Sequence, residues 1–238
     1  MQANYFQSTE FLEKEKFFLQ KHNLVKIIQD EKILIDYVPY ATNENFCHQQ
    51  LYSHSFIYSH RDAFENLQKA SKLAHEKGFK LRVWDAYRPF EVQAFMAYKF
   101  PEHVEKGYVS HPNEGVATHV RGIAIDLTLV DKNDAELDMG TGFDDMSEQS
   151  HHGSKALSEK NKIAEKNRQI LAEIMQKSGF EIYENEWWHY NLKIFKYNAK
   201  GEIIGAESIA EKKYPKIPEG EFDDLLAPKI KNLIDKII

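Results

Sequence analysis

Two periods organise the apolar positions of this chain. Ser8 to Lys21 carries Phe11, Leu12, Phe17, Phe18 and Leu19 on a helical repeat, with Ser8 or Thr9 placed to cap the first turn. Arg61 to Lys77 is a second helical stretch, stopped by Gly78, and Lys155 to Lys177 a third, closed by Gly179. Elsewhere the repeat shortens. Lys32 to Val38 is a β-rich run ended by Pro39, Phe79 to Trp84 alternates, and Gly122 to Val130 reads G-I-A-I-D-L-T-L-V, a strand. Pro89 suits the first position of a helix over Phe90 to Lys99. Phe180 to Tyr183 and Trp187 to Ile194 read as strands flanking a turn at Glu184 and Asn185. Residues 40–59, 100–118 and 135–153 lack a period and read as loops, the first a candidate wall of a binding cleft. The tail from residue 195 is rich in Lys, Glu, Pro and Gly, and Asp223 to Ile238 regains a helical period.

Strands and helices mix without regular βαβ alternation, and neither a repeat nor a linker divides the chain. The expected fold is therefore α+β, an antiparallel sheet with helices packed on it. It is expected to form a single domain over residues 1–238, with the motifs in 80–192 and a C-terminal extension over 195–238. A chain of 238 residues can bury a core without disulfides or structural metal.

Composition narrows the function. The net charge is −6 and Arg supplies only five of 31 basic residues, which argues against a nucleic-acid partner. No stretch approaches the ~20 apolar residues of a membrane span. Glu10, Glu13, Lys14, Glu15 and Lys16 exclude a signal peptide in the first twenty residues. Action in the cytoplasm is the expectation, with the periplasm the alternative if a leader has been trimmed. Cys47 stands alone and reads as a small buried apolar residue rather than a nucleophile.

Two short segments carry candidate chemistry: Thr118 to Asp126 (T-H-V-R-G-I-A-I-D) and Glu186 to His189 (E-W-W-H). His119, Asp126 and His189 offer two imidazoles and a carboxylate, a three-ligand set for Zn²⁺ that leaves a fourth position for water. Glu186, close in sequence to a ligand but not needed as one, suits the general base that moves the water's proton to a leaving amine. Gly122 and Ala124 keep the backbone between His119 and Asp126 slim. His151 and His152 read as loop residues with capping or supporting hydrogen bonds rather than ligands.

These segments, with D-A-Y-R-P (Asp85 to Pro89) upstream, resemble the D-alanyl-D-alanine dipeptidases of the VanX type. Those are zinc D,D-peptidases related to the D-Ala-D-Ala carboxypeptidases and to the zinc domain of Hedgehog proteins. Y-A-T-x-x-N-F (Tyr40 to Phe46) and the stretch from Asp138 to His152 add to the resemblance, in family order from about residue 30 to about 192. It implies a Hedgehog/D,D-peptidase-like fold and one Zn²⁺ per chain on His119, Asp126 and His189, with Glu186 as base. Arg88 would stabilise the oxyanion, although an Arg beside Pro is, read alone, equally compatible with a structural pairing. Asp144 would hold the free ammonium of a small D,D-dipeptide, with Asp145 its competitor. The family's Ser two residues before the first His is here Ala117, so a pocket hydroxyl is missing or displaced to Thr118, which bears on dipeptide selectivity. The alternatives are a D,D-carboxypeptidase or L,D-endopeptidase acting on peptidoglycan stems, or a zinc-containing binding module without catalysis.

Overall fold

The computed structural model describes residues 5–155, 157, 161–194, 196–197, 203–204 and 206–234. Helix α1 (Thr9–Lys21) begins at Ser8, whose hydroxyl accepts the Phe11 amide. Phe11 and Phe18 are buried, whereas Leu12 and Phe17, expected on the same apolar face, are exposed. Helix α2 (Arg61–Glu76) ends where Gly78 takes φ +85, a conformation that favours glycine. Helix α3 (Phe90–Lys99) follows Pro89, which occupies the N-cap rather than the first helical position. The expected loop 100–118 contains a short helix, α4 (Pro101–Glu105), and here proline does open the first turn. Helix α5 (Lys162–Lys177) is capped by Asn161; Lys155 and Leu157, within the expected helix, are also helical, but Asn161 interrupts it, and residues 156 and 158–160 lie outside the described ones. In the tail lie α6 (Ala206–Lys213) and α7 (Pro228–Ile234), the latter preceded by a 3₁₀ turn at Asp223–Leu225; residues 235–238 of the expected last helix lie outside the described ones.

The architecture is α+β. Five strands form the central sheet: β2 (Ile33–Leu34), β4 (Lys80–Asp85), β5 (Ala124–Val130), β6 (Phe180–Tyr183) and β7 (Glu186–Leu192), in the order β2-β4-β5-β7-β6. Every pair is antiparallel except β2 with β4, which runs parallel, so the sheet is mixed at one edge. The run from Lys32 to Val38 yields only the two residues of β2 before a 3₁₀ turn at Pro39–Ala41. A smaller pair, β1 (Leu24–Lys26) with β3 (Tyr58–His60), lies apart, as does β8 (Lys196–Tyr197) with β9 (Ile203–Ile204).

Helices α2 and α5 cover one face of the central sheet. Leu67, Ala70 and Ala74 of α2 and Leu171, Ile174 and Met175 of α5 join a core with Leu81, Val83, Ile125, Leu127, Leu129 and Phe180. Strand β5 is buried at every position, as a central strand covered on both faces must be. Side chains alternate along a strand, so Ile125, Leu127 and Leu129 face the helices and Asp126 faces the other way. A second cluster joins α1 to the tail: Phe11, Phe18, Tyr58, Tyr87, Ile217, Phe222 and Leu225. Among the described residues no helix is long and apolar enough to cross a membrane.

Candidate active site

Sheet register assembles the site. Asp126 on β5 opposes Asp85 on β4 and His189 on β7, so three polar side chains form a row across three strands. Two irregularities make this possible. Val83 opposes Leu127, yet Asp85 opposes Asp126, so Trp84 is an extra residue and a bulge re-aims Asp85. On β7, residues three apart would face opposite sides of a regular pleat. The pairing with β6 shifts register between Ile182 and Tyr183, and the Glu186 carboxylate comes to 3.7 Å from His189 Nδ1. Glu186 thus opens the strand, and His189 lies in its middle. His119 arrives from a 3₁₀ turn, His119–Arg121, closed by Gly122 at φ +67. A Cβ on Gly122 would sit 2.9 Å from the His60 backbone nitrogen, so the close approach excludes a side chain.

His119 Nε2, Asp126 and His189 Nδ1 converge. His119 Nε2 lies 3.1 Å from His189 Nδ1 and 3.3 Å from Asp126 Oδ2, and His189 Nδ1 lies 3.0 Å from Asp126 Oδ1. The outer nitrogens are engaged elsewhere: His119 Nδ1 donates to the Ala86 carbonyl at 2.6 Å, and His189 Nε2 to Asn191 Oδ1 at 2.9 Å. In neutral rings both inner nitrogens therefore turn lone pairs toward each other and toward a carboxylate. A cation relieves that repulsion, and two imidazole nitrogens with one carboxylate oxygen, all within 4.8 Å, suit a zinc-type ion. Without one, a proton takes that part. Burial would lower His189, but Asp126 outweighs it and raises its proton affinity. Burial would raise Asp126, but His119 and His189 hold it below the usual carboxylate range.

Glu186 behaves oppositely. Burial, reinforced by the Asp126 charge, pushes its carboxyl up to about 8. Arg88 completes the centre. Its Nη2 is 3.5 Å from Asp126 and 3.0 Å from Asp85, while Nε donates to Asp85 at 3.0 Å and Nη1 to Gln93 at 3.0 Å. Asp85 is itself held by the Tyr52 hydroxyl at 2.8 Å. Asp85, Tyr52, Gln93 and Asn191 were not singled out from the sequence. Asp85 stands in the same short motif as Arg88, so its signal was present; Tyr52 and Gln93 had none.

A cavity of about 730 Å³ opens over these groups, a size typical of small-ligand sites. Ala117, Thr118, Asp144 and Tyr108 line it with Arg88, His119, Asp126, Glu186 and His189. Asp144 and Asp145 part company here: Asp144 lines the main cavity, whereas Asp145 lines only a neighbouring one. Asp144 sits at φ +60 and receives the Tyr40 hydroxyl on Oδ1 at 3.1 Å; its Oδ2 is buried without a partner among the described residues. Burial raises its carboxyl well above the usual range, against the pull of Arg88. Ala117 also has positive φ, at +45. His151 pairs with the Tyr108 hydroxyl at 2.9 Å, and His152 is part-buried with its proton affinity depressed by burial to about 4. Arg121 points away from the cavity, toward the tail. Cys47 is half-buried against the core, and burial raises its thiol.

An α+β fold that gathers two imidazoles, a carboxylate, a second protonatable carboxylate and a fixed guanidinium in one cavity has the make-up of a peptidase centre. The chain belongs to the D-Ala-D-Ala dipeptidase family: the family described as Peptidase_M15, D-ala-D-ala dipeptidase, matches residues 19–201. A relative from Escherichia coli (strain K12) named D-alanyl-D-alanine dipeptidase is 37% identical over 153 residues, 64% of this chain and 76% of its own. One of the same name from Enterococcus faecium is 38% identical over 175 residues, 65% of this chain and 83% of its own. A solved LD-carboxypeptidase overlaps 85% of this chain and 78% of its own at 17% identity, with a TM-score of 0.39, too slight a likeness to carry an argument. Peptidases of this family are generally zinc-dependent.

Proposed function

We propose that this chain, acting as one catalytic unit, hydrolyses D-alanyl-D-alanine or a close D,D-dipeptide to free D-amino acids. One zinc per chain would be held by His119, Asp126 and His189. The observation that carries the reading is the buried Glu186 carboxylate beside that ligand set, 3.7 Å from His189 and carried up to about 8. Zinc, when bound, lowers the pKa of water and polarises an amide carbonyl.

Glu186 takes the proton from the attacking water and gives it to the leaving amine. Arg88 stays charged throughout and is fixed by Asp85 and Gln93, so it is ready to donate to the amide oxygen as negative charge grows there. The free Oδ2 of Asp144 supports its role as the acceptor for the substrate ammonium. That contact restricts the enzyme to peptides with an amino end close to the scissile bond. Ala117 offers no hydroxyl to the substrate, and Thr118 beside it lines the same cavity.

Release of free alanine should be measured from D-Ala-D-Ala, from an acylated tripeptide ending in D-Ala-D-Ala and from L-Ala-L-Ala. The reading predicts cleavage of the first alone. Release from the acylated tripeptide with none from the dipeptide would make the protein a carboxypeptidase, and no cleavage of any, with zinc bound, would make it a binding module.

A further inference from the structure

The family match ends at residue 201, and the described segment 206–234 lies beyond it. That segment touches each of the pieces that bring His119, Asp85 and Arg88 into the site. The Ile217 amide donates to the Val120 carbonyl, inside the 3₁₀ turn that carries His119. Arg121 of the same turn is 1% exposed, and its guanidinium donates to the Tyr214 carbonyl at 2.6 Å, to the Val116 carbonyl and to the Glu211 carboxylate. Leu226 bridges Tyr52, and the Ser53 amide donates to the Leu225 carbonyl at 2.8 Å; Tyr52 in turn holds Asp85, which holds Arg88. The Gly220 amide donates to Glu91 at 2.6 Å, at the start of α3 directly after Arg88 and Pro89. Ile217, Phe222 and Leu225 share a buried apolar cluster with Tyr87, the neighbour of Arg88.

A buried guanidinium is costly unless its donors are satisfied. Two of the three acceptors of Arg121, Tyr214 and Glu211, come from the tail. The turn bearing His119 is thus tied on one side to β5 and on the other to a segment outside the family match.

We propose that segment 206–234 is part of the scaffold of the active site and that Arg121 is a positioning residue, which sets the His119 turn by clamping it to that segment. The proposal rests on the reading of His119 as a zinc ligand. A residue that orients a ligand in this way governs metal affinity by about 10- to 100-fold when removed.

The test uses the full chain and three variants, Arg121→Met, Arg121→Lys and Glu211→Ala, each titrated with zinc against a chromophoric chelator and assayed for kcat and KM on D-Ala-D-Ala. Arg121→Met should bind zinc at least about tenfold more weakly and lose kcat, with KM within about twofold of the parent. Arg121→Lys, which keeps the charge but cannot reach three acceptors, should recover part of both. Glu211→Ala alters a side chain that is 60% exposed, so it leaves the core intact, and it should shift zinc affinity in the same direction by a smaller factor. If Arg121→Met does not fold, the other two variants decide. Parental zinc affinity in Arg121→Lys and Glu211→Ala, or a change confined to KM, would overturn the proposal. The zinc titration reads the clamp even if the parent cleaves a different peptide, so failure of the substrate reading is seen separately.

Discussion

Replacing Glu186 by Gln keeps the shape of the side chain and removes its ability to carry a proton. Loss of a general acid–base group lowers turnover by about 10²- to 10⁴-fold. The same change has a second consequence, for stability. A carboxyl carried from 4.5 to about 8 by burial corresponds to roughly 5 kcal/mol of differential interaction between its two protonation states. The sign follows from linkage: the folded state binds this proton more tightly than the unfolded state. Stability from that proton is complete below about 4.5 and is lost as pH rises through about 8. Between pH 6 and 8 the slope approaches 1.36 kcal/mol per pH unit, which amounts to about 2 kcal/mol. The Gln variant has no such proton, so its metal-free form should be spared that loss. The raised proton affinity of His189 also costs stability as pH rises, but it acts in both proteins and largely cancels in the comparison. Urea unfolding of chelator-stripped parent and Glu186→Gln at pH 6 and pH 8 measures the difference. Parallel pH dependences would refute the argument, because they would mean that Glu186 is solvated and ionised in the folded protein.

Dialysis against a chelator should abolish hydrolysis while far-ultraviolet circular dichroism stays native, since the apolar core between the sheet and helices α2 and α5 does not include the site; one equivalent of zinc should restore activity. Asp144→Asn should raise KM for D-Ala-D-Ala by about 10- to 100-fold, the worth of a hydrogen bond to a charged group, with a smaller effect on kcat in steady-state assays. Gly122→Ala forces a side chain onto φ +67 and against the His60 nitrogen, and should destabilise by about 1–3 kcal/mol, visible as a lower midpoint in thermal melts.

The candidate ligands could be picked out in the sequence because Asp126 is the one charged residue of β5, seven residues after a His. A carboxylate in a strand whose other positions are apolar save Thr128 marks a polar group aimed into a buried place. The spacing E-W-W-H was legible as chemistry but misleading as geometry. Strict alternation would separate Glu186 from His189, and only the register shift opposite Ile182 and Tyr183 reunites them. The bulge at Trp84 is equally silent in the sequence, and with it the placement of Asp85. Asp144 and Asp145 are chemically identical neighbours, so only the backbone, left-handed at Asp144, could part them. The run from Lys32 to Val38 marked the place of β2, but neither its shortening to two residues nor its parallel pairing with β4 is written in the spacing. The exposure of Phe17 and Leu12 likewise depends on what the tail covers, which helical spacing does not reveal.

The central claim is that His119, Asp126 and His189 hold the metal while Glu186 moves the proton. Anomalous diffraction at the zinc edge from zinc-loaded crystals tests it directly. The account predicts one peak per chain about 2.0–2.2 Å from His119 Nε2, His189 Nδ1 and an Asp126 oxygen, with the Glu186 carboxylate outside bonding distance. A peak elsewhere in the chain, or one with Glu186 bound in place of Asp126, would contradict it.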